Sequence, residues 1–379
     1  MANSLVRRVY VAVALLLFSG GAHALLVKNM YVFGDSLSDS GNAAAMTSVG
    51  PGASFFPPSQ AIGGIGVPYD YRFSNGPVTP EYLADLLGIA PSAPAWPGSP
   101  PNANPNFAVG GAMTGAGPAS GVPLAAQGLC CNYNWLVNSP SGLQTVFPDV
   151  QFTGINNQIQ LFAARLDSGA ITPFDPATTL FTVWGGANDI FLALDLAQSL
   201  GLSLPDAAAL VQAYTLNAAA NLSTRISELA GLGADNFFVP NLPNLGLTPY
   251  AIANDLESLL EQVSVAFNTA LDYFLTQVGN TLAINIIEFD TVSALNGLIN
   301  SGAFPNKTQP CFDQGDVPGT LPNVLKGCEG YVFFDGVHPT TAADALLAEA
   351  WRNAIPEPAT LVLVGFGLAV MRVACRRLR

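Results

Sequence analysis

The chain has 379 residues, of which 50% are apolar and 10% are charged, and its formal net charge is −13. This length can bury the core of one large domain or two small ones. Residues 25–355 hold seven basic and 25 acidic side chains, so this part of the chain has a formal charge of −18. Such a field repels phosphate backbones and anionic lipid surfaces, which argues against nucleic acid as a partner.

The N-terminal residues have the pattern of a secretory signal peptide. Two arginines precede a short apolar stretch, which ends in the small-residue pattern AHA at 22–24. The apolar part is shorter than the roughly 20 residues that a membrane-spanning helix needs. We therefore expect residues 1–24 to be removed on export and residues 25–355 to form the mature domain.

Strand-like and helix-like segments alternate along that domain. Apolar runs predict strands, at 25–33, 106–109, 179–184, 236–242 and 282–289. Helical patterns lie between and after them, at 80–88, 154–166, 204–232, 249–278 and 340–354. This alternation predicts an α/β fold, with a mostly parallel sheet covered by helices on both faces. Loops above the strand ends are expected to shape the substrate pockets, at 50–75, 90–105, 113–150 and 303–334.

Four polar blocks follow predicted strands, where parallel sheets collect their chemistry. The sequence GDS at 34–36 follows the first strand, and NFAVGGA at 106–112 coincides with the end of the second. The sequence GGAND at 185–189 follows the third strand, and DGVHP at 335–339 precedes the last helix. The four blocks are therefore candidates for a single site at the carboxyl ends of the predicted parallel strands.

His338 is one of two histidines, and the other lies in the signal-like segment. A serine hydrolase with a histidine base must therefore use His338. A chymotrypsin-like order, with the histidine before the serine, is excluded. Ser36 also lacks the G-x-S-x-G pattern of an α/β-hydrolase elbow. With one remaining histidine and no Cys-x-x-Cys pair, we expect no metal site.

In this order, the blocks GDS, FAVGGA, GANDIF and FFDGVHPT resemble those of the SGNH/GDSL family of esterases and lipases. The resemblance covers about residues 28–354 and extends to the flanking sequence RFSNGP. It implies a flavodoxin-like fold, a three-layer α/β/α sandwich with a mostly parallel central sheet. It also implies hydrolysis of acyl esters through an acyl-enzyme intermediate, with no cofactor.

The same resemblance implies a role for five residues. Ser36 matches the nucleophile, His338 the base that takes its proton, and Asp335 the carboxylate that orients the imidazole. The oxyanion hole would consist of the backbone N–H groups of Ser36 and Gly111 and the side-chain amide of Asn188. A serine hydroxyl needs such a base, and a tetrahedral oxyanion needs such fixed donors.

Each of these residues also has a structural interpretation. Asp335 and His338 could be a capping carboxylate and a surface histidine before the last helix. The glycine pair at 110–111 could serve close packing alone. The pair Asn-Asp at 188–189 could cap the helix that follows it. Taken jointly, these interpretations require four coincidences, so we favour the catalytic one.

The cysteines suit an exported protein. Cys311 and Cys328 lie in one loop-like stretch, where a disulfide would be normal outside the cytoplasm. Cys130 and Cys131 are adjacent, and a bond between neighbours is strained, so their state is left open.

The C-terminal residues 356–379 begin with PEP, continue with the apolar ATLVLVGFGLAVM and end in arginines. The apolar stretch is a marginal membrane span with a positive flank, and one interpretation is a simple tail anchor. The order of the three features resembles the PEP-CTERM sorting signal of Gram-negative bacteria. That resemblance implies an exosortase partner, a transient inner-membrane anchor, and export to the cell surface or the exopolysaccharide matrix.

Three functions fit the sequence. The first is an ester hydrolase of the carboxylesterase or lipase type, acting on short or medium acyl esters or on lipids. The second is an acetylesterase that trims exopolysaccharide, motivated by the sorting signal. The third is a non-catalytic, glycan-binding surface or matrix protein, against which the complete set of matched site residues argues.

Overall fold

The computed structural model describes residues 25–47, 71–96, 98, 103–115, 154–312 and 326–356. The predicted signal peptide, the apolar part of the tail, Cys130, Cys131 and most of the predicted pocket loops lie outside the described residues. Residue contacts divide the chain into two units. In the unit made of the two chain ends, the Leu25 N–H donates to the Pro356 carbonyl at 2.9 Å. The unit Val27–Ala354 contains the elements described next.

A six-stranded sheet runs through the described part of this unit. Its strands are β1 (Asn29–Gly34), β2 (Ser92–Pro94), β3 (Asn104–Asn106), β4 (Thr179–Trp184), β5 (Asn236–Pro240) and β6 (Asn285–Phe289). They are parallel and lie in the order β2-β3-β1-β4-β5-β6. The predicted, mostly parallel sheet is thereby confirmed. The central strands β1 and β4 pair along their whole length, so their carboxyl ends are neighbours.

Helices pack on both faces of the sheet. They are α1 (Asn42–Thr47), α2 (Thr79–Leu86), α3 (Ile155–Asp167), α4 (Ala187–Ser199), α5 (Leu204–Gly231), α6 (Pro249–Ala253), α7 (Glu257–Leu282), α8 (Thr291–Asn300) and α9 (Thr341–Ala354). Successive side chains of β5 illustrate the two faces. Phe237 belongs to the large cluster with α3, α4, α5 and α7. Phe238 contacts Trp351 of α9 on the other face, with ring centroids 5.0 Å apart.

A separate two-stranded sheet precedes the last helix. It pairs β7 (Asn306–Pro310) with β8 (Tyr331–Phe333) in parallel. In the structure a disulfide joins Cys311 and Cys328, whose Cα atoms are 5.5 Å apart. This small sheet leads directly into the loop that contains Asp335 and His338.

The structure differs from the predicted elements in several places. The single helix predicted over 249–278 is wrong, because α6 and α7 are separated where Asp255 adopts a left-handed φ of 55°. The segment 90–105 was predicted to be a loop, but it contains β2 and most of β3. Likewise, 303–334 contains β7 and β8. The helices α1, α4 and α8 were not among the predicted helical segments. Among the described residues, no helix has the length and apolar character needed to span a membrane.

Candidate active site

Ser36 lies in a tight turn two residues beyond the last residue of β1. At that last residue, Gly34, an added Cβ would lie 2.3 Å from the carbonyl oxygen of Trp184 on β4. Glycine therefore allows the two central strands to approach closely just before the turn. The Asp35 carboxylate accepts the Leu37 N–H at 3.0 Å within the turn, and 8% of Ser36 is exposed. The turn thus presents the serine at the carboxyl end of the sheet.

Asp335 and His338 lie in a loop that follows β8. The Asp335 carboxylate accepts the backbone N–H groups of Val337 and His338 at 3.0 and 2.9 Å. These bonds fold the loop so that the imidazole Nδ1 lies 2.8 Å from Asp335 Oδ2. The other ring nitrogen, Nε2, lies 2.8 Å from Ser36 Oγ. The structure therefore brings together three predicted site residues, although Ser36 and His338 are 302 positions apart.

The hydrogen bonds assign the imidazole tautomer. An ionised carboxylate can only accept, so the Nδ1 that faces Asp335 must carry a proton. In the neutral ring Nε2 is then an acceptor, and the Ser36 hydroxyl donates to it. The cap interpretation of Asp335 is wrong, because its carboxylate bonds within its own loop rather than to the first turn of α9.

Burial and neighbouring charges shift the pKa values of His338 and the carboxyl groups around it. Burial by itself lowers the pKa of His338, but the charge and hydrogen bond of Asp335 outweigh it, helped by Asp35 and Asp344, and the pKa is raised above 6.5. Burial opposes the charged form of Asp335, yet the interactions with His338 hold its pKa below the usual value. Burial raises the pKa of Asp35 to about 6. The imidazole is therefore a stronger base than one in water.

Gly111 and Asn188 lie on neighbouring segments near the ends of β3 and β4. Gly111 is buried with a φ of 76°, a conformation that favours glycine. The Asn188 side-chain amide donates to the Ala112 carbonyl at 3.0 Å, next to Gly111. Among the hydrogen bonds of the described residues, the backbone N–H groups of Ser36 and Gly111 have no acceptor. Two predicted oxyanion donors are thus unpaired.

The structural interpretations of the glycine pair at 110–111 and of the Asn-Asp pair at 188–189 have different outcomes. Gly110 does serve close packing, because an added Cβ would lie 2.0 Å from the Phe73 ring, which in turn lies against His338 with centroids 5.3 Å apart. The capping interpretation of Asn188 and Asp189 is wrong, since residue 186 is the N-cap of α4. The Asp189 carboxylate instead accepts from the backbone and hydroxyl of Thr114.

Sequence reasoning missed the side chains that hold these segments together. The buried Asp39 carboxylate accepts four backbone N–H groups, three around the start of α1 and one from Gly110. Asn42 donates to the carbonyls of Asn106 and Ala108 at 2.7 and 2.8 Å. Asp39 and Asn42 belong to the sequence SDSGN directly after GDSL, which was the available signal. They connect the serine turn to the segment that contains the predicted oxyanion glycine.

Comparison with known proteins identifies the family. The family model for GDSL-like lipase/acylhydrolase matches residues 30–351. The chain belongs to the GDSL-like lipase/acylhydrolase family. As a member of this family, it is a hydrolase that acts on ester bonds. A second model, the PEP-CTERM protein-sorting motif, matches residues 354–378, which suggests export in a Gram-negative bacterium.

The chain is also similar to individual proteins. This GDSL-like hydrolase is 27% identical to acetylajmalan esterase 2 of Rauvolfia serpentina, over 89% of this chain and 93% of the relative. It is 30% identical to esterase EstA of Pseudomonas aeruginosa, over 88% of this chain and 48% of that relative, about half its length. Among solved structures, acetylxylan esterase Axe2 of Geobacillus stearothermophilus is 13% identical, with a TM-score of 0.36, covering 89% of this chain and 98% of that one.

Proposed function

We propose that this hydrolase uses Ser36, His338 and Asp335 as a catalytic triad. As Ser36 Oγ bonds to the acyl carbon, Nε2 of His338 takes the hydroxyl proton. The tetrahedral intermediate then breaks its ester C–O bond, and His338 returns the proton to the departing alcohol. Water attacks the acyl-enzyme in the same way and releases the acid. The observation that carries the proposal is the hydrogen-bonded series from Ser36 Oγ through the imidazole to Asp335.

The oxyanion of each intermediate is proposed to bind the N–H groups of Ser36 and Gly111 and the amide of Asn188. Buried donors normally find partners, so two unpaired N–H groups beside a nucleophile support a role in holding a transient charge. The left-handed glycine allows its N–H to be presented without an obstructing Cβ.

Short or medium acyl esters, or lipids, are our first choice of substrate. The family's lipase and acylhydrolase description supports this class. An acetyl ester on exopolysaccharide is the second candidate. The sorting-motif match and a relative named for an acetyl ester favour it. We also propose that residues 1–24 are removed as a signal peptide, that 25–355 form the hydrolase domain, and that an exosortase cleaves within 356–379.

Hydrolysis of p-nitrophenyl esters from acetyl to palmitoyl, and of an acetylated polysaccharide, tests these proposals. We expect Ser36→Ala to lower kcat by at least about 10³-fold on every ester that the wild type cleaves. The control is Ser40→Ala, which removes a buried hydroxyl without a hydrogen-bond partner among the described residues, and it should remain active. A rate that rises with chain length favours lipids, and activity confined to acetyl groups favours the polysaccharide.

Two results would overturn the triad proposal. The first is a Ser36→Ala variant that hydrolyses esters at the wild-type rate. The second is a folded wild-type protein that hydrolyses none of them and only binds glycan, which would instead support the non-catalytic matrix protein.

A further inference from the structure

The Gln158 side chain makes two hydrogen bonds to a single backbone residue at the start of the serine turn. Its Oε1 accepts the Gly34 N–H at 2.9 Å, and its Nε2 donates to the Gly34 carbonyl at 2.7 Å. Gln158 lies 124 positions further along the chain, on α3, and only 4% of it is exposed. Both functional groups of one buried amide are thus engaged by the residue that ends β1.

The location of this contact explains why a side chain is needed there. Hydrogen bonding between β1 and β3 becomes irregular beyond Asn106, where β3 ends. The Val109 N–H still reaches the Gly34 carbonyl at 3.1 Å, but the acceptor for the Gly34 N–H is Gln158. The amide therefore completes the hydrogen bonding of β1 at its last residue. A buried N–H without this partner would be costly.

Gly34 is consequently fixed from two sides. On one side, the Trp184 carbonyl oxygen lies 2.3 Å from where a Cβ would be, so β4 can lie this close only because residue 34 is glycine. On the other side is the Gln158 amide. Ser36 lies only two residues later, and its Oγ must stay within hydrogen-bonding distance of His338 Nε2, from which it is separated by 2.8 Å. A shift of Gly34 would carry the nucleophile away from its base.

We propose that Gln158 is a positioning residue for the nucleophile, acting through the backbone of Gly34. The inference rests on the proposed function of Ser36. Gln158 does not contact the reacting atoms, and its effect is on the separation between Ser36 Oγ and the imidazole. Loss of the amide should therefore lower kcat and leave KM nearly unchanged, because substrate binding is not altered.

The test compares two variants in hydrolysis of p-nitrophenyl acetate by the full-length protein. Gln158→Met has a similar shape but cannot pair with Gly34, and we expect kcat to fall by about 10- to 100-fold with KM within about threefold. Gln158→Glu keeps both bonds only while its carboxyl is protonated, since the ionised form repels the Gly34 carbonyl. Its kcat should therefore fall as pH rises, opposite to the acid limb that a histidine base gives the wild type.

Asn236→Leu is the matched control. Asn236 is also buried, donates to the Pro176 carbonyl at 2.7 Å and accepts from Asn285 Nδ2 at 3.0 Å. It lies at the amino end of β5, whereas Ser36 lies beyond the carboxyl end of β1, on the opposite side of the sheet along the strand direction. This variant should lose thermal stability as Gln158→Met does, but it should keep the wild-type kcat below its melting temperature.

The outcomes separate this inference from the proposal on which it rests. An active Ser36→Ala variant would overturn both. With Ser36→Ala inactive, a wild-type kcat in Gln158→Met would overturn the positioning role alone, as would an equal loss of kcat in Asn236→Leu. If Gln158→Met does not fold, Gln158→Glu decides. A pH profile for that variant that parallels the wild type would overturn the inference.

Discussion

The turn that contains Ser36 and the loop that contains Asp335 and His338 are held in place in different ways. We call them the nucleophile half and the base half of the site. Ser36 follows a central strand of the six-stranded sheet, and its turn is held by the buried side chains of Gln158 and Asn106, from distant parts of the chain. His338 follows β8, a three-residue strand in a separate sheet. Its loop is held mainly by bonds within itself and by backbone bonds to that small sheet, beside the disulfide, with one further bond from the Tyr250 N–H of α6 to the Gly336 carbonyl at 2.8 Å.

This difference shows how the geometry of a site can be divided between global and local structure. The nucleophile half shares its supports with the core, so damage to them should lower stability and activity together. The base half depends on a short segment, which we expect to loosen while the main sheet remains folded. The Phe73 ring contacts both halves, since it covers Gly110 and packs against His338.

Asp39→Asn is expected to have the largest effect, because it damages the nucleophile half. The carboxylate accepts N–H groups from Gly41, Asn42, Ala43 and Gly110 at 2.8, 2.6, 3.0 and 2.8 Å. An amide replaces one accepting oxygen with an NH₂ group that faces donors. We expect the free energy of unfolding to fall by about 3 kcal/mol or more, measured by urea denaturation, and kcat to fall with it.

Asp290→Asn is the control for this change. Asp290 is an exposed cap of α8 and accepts the Ser293 N–H at 3.0 Å. Asparagine caps helices as well as aspartate does, so the loss should stay below about 1 kcal/mol. If both variants are equally stable, the four-donor contact does not support the nucleophile half.

The double variant Cys311→Ala/Cys328→Ala tests the base half and should have an intermediate effect. The disulfide closes a loop of sequence separation 17, for which about 3 kcal/mol of stabilisation is expected. Because the bond lies beside the His338 loop, heating should abolish hydrolysis before circular dichroism reports loss of the main sheet. Coincident loss of both signals would show that the base half is not separately supported.

Peptide mapping checks whether the bond forms in the purified protein. Trypsin cleaves after Lys307 and Lys326, which puts the two cysteines on different peptides. The peptides should remain joined without reductant and separate after reduction. Separate peptides in the unreduced sample would contradict the disulfide.

The same contrast explains what the sequence could reveal. Asp335 and His338 are three positions apart, and Ser36 ends a predicted strand, so local patterns and the family resemblance were enough to single them out. Gln158 has no such pattern, because its partner lies 124 positions away. Its one signal is a polar residue within the buried face of α3, beside Ile159 and Phe162. Contacts of this kind depend on the tertiary fold and leave little trace in local sequence.

The fold was likewise predictable where periodicity was strong. Strand β4 was predicted with its observed bounds, since six consecutive buried residues give a clear apolar run. The edge strand β2 was missed and its neighbour β3 was placed at 106–109, overlapping the observed strand only at Asn106, because both strands have three residues and contain proline, which usually indicates a loop. The break near Asp255 was missed because the apolar helical pattern continues across it.

Asp344→Asn should have the smallest effect, and a pH-dependent one, at the base half. Asp344 lies on α9, is 1% exposed and accepts the Thr79 hydroxyl at 2.7 Å. Burial raises its pKa from 3.8 to about 8. A carboxyl with a raised pKa stabilises the fold fully below its unfolded pKa, and this contribution is lost as pH rises through about 8.

Asparagine does not ionise, so the variant avoids this loss. The melting temperature of Asp344→Asn minus that of the wild type should therefore increase as pH rises from about 5 to 9. With a pKa of about 8, Asp344 is largely protonated over the acid limb of the hydrolysis profile, so it carries little charge to act on His338 there. Asp344→Asn should therefore leave the acid limb nearly unmoved, because Asp335 supplies the main charge that raises the pKa of His338. Parallel stability curves would mean that Asp344 is already ionised at pH 5. An acid limb that moves to lower pH would mean that Asp344 is ionised there, and that its charge together with that of Asp335 sets the strength of the base.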